Sequence, residues 1–202
     1  MAEVSQTLRI YEFLGSRAHP SGREYQWSEW PDDPKFLLAD RFLQRKRLAP
    51  GWTPPRTIRM LAKHWKPKPM PDFIRHQACT VNLLSVRALD VIGHLIAKDV
   101  ELLPVHADFG EYMAVNTLTQ IKALDIAQSS GFRKDDGGLS AIFDYVFDPL
   151  PIVQSGAMVF RESSCVVPAY CRHEIIDLAK AHGLTGFANP KKPLWQCPMP
   201  YG

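Results

Sequence analysis

Cysteine and histidine are the side chains here with the most reactive chemistry, and their spacing decides what they can do. Cys165, Cys171, His173 and His182 fall close together. A zinc site built on them meets two obstacles. The C-x5-C spacing matches no common structural zinc pattern. On a helix through this stretch, Cys171 and His173 would also point to different faces. Cys171 with a histidine could act as nucleophile and base, but no third residue is placed to orient the base, and a cysteine on an apolar helical stripe packs as core. The carboxylates Asp125, Asp135, Asp136 and Asp144 could hold an acid/base pair; Asp135-Asp136, beside Gly137-Gly138, reads instead as a solvated loop. Glycine-rich phosphate cradles, H-E-x-x-H and G-x-S-x-G do not occur. The expectation is a protein without catalytic residues, cofactor or metal.

A second kind of chemistry lies in the charge pattern. Nine basic residues stand between Arg41 and Lys68, and no Asp or Glu interrupts them. With nine of the 24 basic residues in that segment, the rest of the chain holds 15 against 21 acidic ones. One basic segment on a mildly acidic protein implies an acidic partner. Trp27, Trp30, Trp52 and Trp65 lie before or within it. Interleaved tryptophan and arginine can anchor a protein interface or hold nucleic acid by phosphate contact and base stacking. Trp27, Trp30, Arg41, Arg45, Arg47 and Trp52 are therefore the candidate partner-binding residues. The bland alternative packs each indole into a small core and leaves the lysines solvated.

These residues must be positioned by a recognisable series of elements. Strands are predicted at Leu8–Leu14, Glu24–Trp30 and Thr57–Ala62, and a helix at Phe36–Leu48. Three alternating prolines in Lys66–Pro71 force an extended connector. Ser85 caps a helix over Val86–Lys98 with Val86, Leu89, Ile92, Leu95 and Ile96 as its apolar stripe, Leu89 and Ile92 being expected to be buried. Glu101–His106 and Tyr112–Leu118 read as a hairpin. Ser129–Ser140 is expected to be a mobile surface loop, followed by strands at Ala141–Phe147, Ala157–Phe160 and Cys165–Val167. Pro168 is expected to open a helix to His182, with Cys171 inward and Gly183 as its stop.

Strands outnumber helices without regular β-α-β alternation, which argues for an α+β fold. It would be a mainly antiparallel sheet with two main helices packed on it, plus a basic N-terminal region. The expected organisation is a strand/helix region over 1–68, an α+β domain over 69–190 and a tail over 191–202. With 46% hydrophobic and 22% charged residues the chain can build a sizeable core. No apolar run approaches the ~20 residues that span a bilayer, and the N-terminus lacks a signal-peptide core. Cysteines at irregular spacing fit free thiols in a reducing compartment, so the expected localisation is cytoplasmic.

From residue 71 onward the order of short motifs resembles a known family. Pro71-Asp72-Phe73 opens it, followed by the Ser85-capped helix and Glu101-Leu102-Leu103-Pro104-Val105. Gly110, Tyr112 and Asn116 come next, then Ala123-Leu124-Asp125, and Gly183-Leu184-Thr185-Gly186-Phe187 closes the pattern. This series, over roughly 71–188, is similar to immunity-protein family eleven of bacterial polymorphic toxin systems. The resemblance implies a non-catalytic cytoplasmic protein that binds and neutralises a cognate secreted toxin encoded beside it. Such a partner would present an acidic surface to the basic segment. Two other readings stand beside this one: nucleic-acid binding through the basic, tryptophan-containing segment, and an enzyme whose site one sequence does not reveal.

Overall fold

The computed structural model describes residues 7–15, 26–33, 35, 37–61, 69–76, 81–133, 135, 137–164, 169–187 and 191–198. The chain opens with β1 (Thr7–Glu12) and β2 (Gln26–Glu29), then a one-turn helix α1 (Leu37–Asp40) that tightens into a 3-10 turn over Arg41–Gln44. Strands β3 (Arg56–Leu61), β4 (Phe73–Arg75) and β5 (Asn82–Ser85) lead into helix α2 (Val86–Ile96). Next are β6 (Val100–Pro104), β7 (His106–Ala107), β8 (Tyr112–Thr117) and β9 (Gln120–Ile121). Strands β10 (Ser130–Arg133) and β11 (Leu139–Asp144), helix α3 (Pro149–Ser155) and β12 (Val159–Glu162) follow. The described chain ends with β13 (Ala169–Arg172), helix α4 (His173–Ala181) and β14 (Trp195–Pro198).

The fold is α+β with mostly antiparallel pairing. One sheet runs β14-β1-β13-β12-β9, parallel only between β12 and β9. A second runs β4-β5-β8-β6, antiparallel throughout. Side chains alternate across a strand, and the two faces of each sheet separate cleanly. Phe73, Leu84 and Val115 of the four-stranded sheet share a core with Tyr11, Val159 and Cys171 of the five-stranded one. Helices α2 and α4 lie in this same core through Ala88, Ile92, Ile96, Ile175, Ile176 and Ala179. The opposite face of the five-stranded sheet packs Ile10, Phe160 and Tyr170 with Ile152 of α3. The opposite face of the four-stranded sheet packs Ile74, Leu83 and Ala114 against Trp30, Phe42 and Leu48. That last layer carries the basic segment.

Local signals explain α2. The Ser85 hydroxyl accepts the Ala88 N–H at 3.0 Å, satisfying one orphan donor of the first turn. Its buried stripe is Ala88, Ile92 and Ile96; Leu89 is only half-buried, so the inward face is rotated from the expected one.

Four sequence expectations are corrected. Ala169–Arg172 is strand, and helix α4 starts at His173, because Tyr11 and Ile10 of β1 pair with Cys171 and Arg172. Cys171 is therefore buried on a strand. Residues 130–133 are not loop: β10 pairs antiparallel with β11, with two register irregularities. The expected helix over 36–48 is one α-turn plus one 3-10 turn. It ends at Arg45, which takes a left-handed φ of 57°. Helix α3 was not anticipated; Asp148 caps it and Gly156 ends it. The expected strand at Cys165–Val167, and much of the proline connector, lie outside the described residues.

Four buried carboxylates lock loops onto this frame. Asp72 accepts the Ser85 hydroxyl at 2.9 Å, the Arg87 guanidinium at 2.9 Å and the Thr185 N–H at 3.0 Å. Asp99 accepts the N–H groups of Met158 and Val159 and the Thr119 hydroxyl. Glu101 accepts the N–H groups of Leu48 and Ala49 and the Asn116 amide. Glu162 accepts those of Ala123 and Leu124.

Candidate functional site

The basic segment begins on a floor of aromatic rings. Trp30 follows β2 and is 1% exposed. Its indole N–H donates to the Thr57 hydroxyl of β3 at 3.0 Å. Its ring lies 6.0 Å from Phe42, 6.1 Å from Trp52 and 4.4 Å from His76, centroid to centroid. The Asp33 carboxylate accepts the Leu38 N–H at 2.8 Å and so ties α1 to the turn after Trp30. The 3-10 turn then drops Phe42 into the core. The Glu101 carboxylate and the Asn116 amide, which donates to the Lys46 carbonyl at 2.8 Å, hold the chain down as it passes. Trp52 donates its indole N–H to the Pro104 carbonyl at 2.8 Å. Pro54 and Pro55 lead stiffly into β3.

Above this floor lies a cavity of about 500 Å³. Trp30, Leu37, Leu38, Pro54 and Pro55 form its apolar lining. Its charged members carry both signs, Asp32 and Asp33 with Arg41 and Arg56. Leu37 is 68% exposed, unusual for a large apolar side chain. Thr53 supplies a hydroxyl, but no lining residue is a cysteine or histidine. The lining can bind, by apolar contact and ion pairing.

The structure separates the six predicted partner residues. Trp30 lies in the core, as the alternative reading had it, because Thr57, Phe42, Trp52 and His76 close around it; it reaches the cavity only as floor. Trp52 is half-buried with its N–H committed. Arg41 lines the cavity. Arg45 turns away, donating to the Gln120 side-chain oxygen and the Ser163 carbonyl at 3.1 Å each. Arg47 is exposed. Burial works to raise the Glu101 carboxyl, but bonds from Leu48, Asn116 and Ala49, with help from the Arg47 charge, hold it below its ordinary range. Trp27 pairs with Met60 through the backbone, and its side chain lies outside the described residues. Leu37, Asp32, Asp33 and Arg56 were not singled out; an apolar residue exposed at the start of a helix was the available signal.

Of the carboxylates considered for acid/base work, Asp125 and Asp144 have other tasks, and Asp136 lies outside the described residues. Asp125 accepts the N–H groups of Ala127 and Gln128, and Asp144 accepts the Ser130 hydroxyl. Among the described residues no group of three or more His, Cys, Asp or Glu could hold a metal ion; Cys165 lies outside them. Burial pushes the Cys171 thiol well above its ordinary range, with the Glu174 charge adding to the shift. No described helix is long and apolar enough to cross a membrane.

His76 sits against Trp30, and burial pushes it down from 6.5 to about 4, opposed by the charge of Asp33. An unfolded chain takes up this proton near pH 6.5, the native protein only near pH 4. Stability is thus full above that window and falls as pH drops through it. By pH 4.5 the loss through this group should reach about 2 kcal/mol. Urea unfolding of wild type and His76→Phe at pH 7.5 and 4.5 checks this. The wild type should lose that much more than the variant, and equal losses would remove His76 as the cause.

The first and last of the short motifs quoted above, Pro71-Asp72-Phe73 and Gly183–Phe187, meet in space. The Phe73 N–H donates to the Thr185 carbonyl at 3.0 Å, and the Phe73 and Phe187 rings stack at 4.5 Å. Gly186 has φ of 97°, and a Cβ there would run into the Phe73 carbonyl. Residues 71–73 and 183–187 therefore act as a structural clasp, away from the cavity lining. No family model matches this chain, and no curated protein matches it.

Proposed function

We propose that this protein binds another protein through the cavity beside α1. In this reading it serves as a cytoplasmic immunity protein that neutralises a cognate toxin by covering it. The cavity carries the reading: a recess of about 500 Å³ with an apolar lining, an exposed leucine and charged residues of both signs. Protein interfaces combine such features, an apolar centre with ionic groups that fix register. The toxin as partner rests on the family resemblance over 71–188. Helices α2 and α4 would be the two main helices of a rigid scaffold, and the described basic residues between Arg41 and Arg59 its basic face. Steering by that face would favour an acidic partner surface. Nucleic-acid binding is less well supported, because the Trp30 and Trp52 indoles are engaged in packing and offer no free stacking platform.

The test co-expresses the protein with the toxin domain encoded beside it, then measures association of the purified pair. Arg41→Glu/Arg56→Glu should slow association about tenfold at low salt, and the defect should shrink as salt shortens the ~10 Å Debye length. Reversing Arg45 and Arg47 should matter less, since neither lines the cavity. Protection by the wild type with unchanged kinetics in the Arg41/Arg56 variant would move the interface elsewhere. Failure of the wild type to protect or bind, with tight oligonucleotide binding at physiological salt, would replace the reading with the nucleic-acid one.

A further inference from the structure

The recess beside α1 holds charges that the fold leaves without a counter-ion. Asp32 is the third residue of the turn after β2, which the Asp33 N–H closes by donating to the Trp30 carbonyl at 3.0 Å. Arg41 opens the 3-10 turn and Arg56 opens β3. All three line the recess. Asp32 and Arg56 are exposed and Arg41 is half-buried. Among the described residues, none forms a hydrogen bond or ion pair with any of these three side chains. Opposite charges thus border one space without pairing across it.

The walls between these charges are apolar and fixed. Pro54 and Pro55 have φ locked at about −65° by their rings. The Trp30 floor is held by its bond to Thr57 and by the Phe42 and Trp52 rings. Leu37 lines the recess while 68% exposed. A volume of about 500 Å³ falls in the range of small-molecule sites, which are mostly apolar with a few placed polar groups. Walls that are already rigid spare a ligand part of the cost of ordering them.

The sign pattern selects the ligand. A lone cation is drawn to Asp32 and repelled by Arg41 and Arg56, and a lone anion meets the reverse. A molecule carrying both signs satisfies both sets, and an apolar side chain between them covers the wall. We infer that this recess binds a small apolar zwitterion, a free α-amino acid or a short peptide with unblocked termini. Its carboxylate faces the guanidinium groups, whose forks match two carboxylate oxygens. Its ammonium faces Asp32, and its side chain lies against Leu37, Pro54 and Pro55. Such a ligand needs no toxin. It goes beyond the protein-binding reading of the same recess, and its failure leaves that reading to the co-expression test.

Amide-resolved NMR titration of the whole protein at constant ionic strength tests this. The probes are L-leucine and the dipeptide Leu-Leu, with three analogues: isocaproate lacks the ammonium, isoamylamine lacks the carboxylate, and glycine lacks the side chain. At least one of the two leucine zwitterions should bind saturably, with shifts centred on Asp33, Leu37 and Leu38. Each analogue should bind at least about tenfold more weakly. Tighter binding of L-leucine assigns the site to amino acids, and tighter binding of Leu-Leu assigns it to short peptides. Arg41→Gln/Arg56→Gln should weaken binding at least about tenfold, while Arg47→Gln, off the recess, should stay within about twofold of wild type. No saturable binding of either zwitterion overturns the inference. So does equal binding of isocaproate or isoamylamine, or an equal loss in Arg47→Gln. Amide spectra of the variants away from the recess must match wild type; if the double variant does not fold, the analogue series on wild type decides alone.

Discussion

Trp30→Ala is expected to cost about 3–5 kcal/mol of folding stability. The indole is 1% exposed and is the largest fully buried side chain among the described residues. It joins β3, the 3-10 turn, the Trp52 ring and the His76 ring through one hydrogen bond and three ring contacts. Its removal leaves a void that Phe42 and Trp52 cannot fill without abandoning their own partners, and it strips the Thr57 hydroxyl of a donor. Urea unfolding followed by circular dichroism measures the loss. A cost under about 1 kcal/mol would mean that this layer repacks freely, and the cavity above it would then have no fixed floor. Weakened partner binding in Trp30→Ala would accordingly reflect the floor, so Arg41, Arg56 and Leu37 are the positions where an interface can be read.

Glu162→Ala should be nearly as damaging, at roughly 3–5 kcal/mol. The carboxylate is 1% exposed. It accepts the Ala123 and Leu124 N–H groups at 2.8 and 2.7 Å, and the Ser164 N–H and hydroxyl at 3.0 Å each. Alanine leaves two buried backbone donors unsatisfied, at about 1–3 kcal/mol apiece, besides the lost charge-assisted bonds. Glu162→Gln should recover only part of this, since one acceptor becomes an NH2 group facing donors. The denaturation midpoint gives the size. Amide exchange at Ala123 and Leu124 gives the location, and should accelerate in the variant. Loss of stability without faster exchange at those two amides would mean that the clamp is not what holds the segment after β9.

The elements readable from sequence were those whose signals are local. Helix α2 combined a serine cap with an apolar stripe, although the exact phase needed the packing of α4 to settle it toward Ile92 and Ile96. The β6–β8 hairpin showed its alternation. Ala169–Arg172 did not, because four residues buried on a central strand have no period to distinguish them from helix. Strand β10 was hidden for the opposite reason: Phe132 and Arg133 are exposed, so Ser130–Arg133 carries no buried face. Helix α3 had an Asp-Pro start and a glycine stop, yet its seven residues are too short for periodicity to show. The candidate site was half legible. The acid-free run pointed to a segment that supplies part of the cavity lining, but side-chain exposure depends on partners far away in sequence, so Trp30 and Arg45 could not be told from Arg41 there. The burial of Asp72, Asp99, Glu101 and Glu162 was not legible, since such residues ordinarily face water, and the donors that justify their burial are supplied by folding.

The placement of β1 has a consequence for how the chain is made. Ile10 pairs with Arg172 on one side and Trp195 on the other. Emerging from a ribosome at ~5–20 residues per second, β1 would wait roughly 10–40 s for both neighbours. Until then its backbone and the apolar Leu8, Ile10 and Phe13 have no sheet to enter. Contacts of such long sequence separation slow folding, and an orphaned strand of this kind invites chaperones or pairing with a second nascent chain. The charged Arg9 and Glu12 within the strand are where such misassociation would be restrained, because a like strand laid against it would have to bury them.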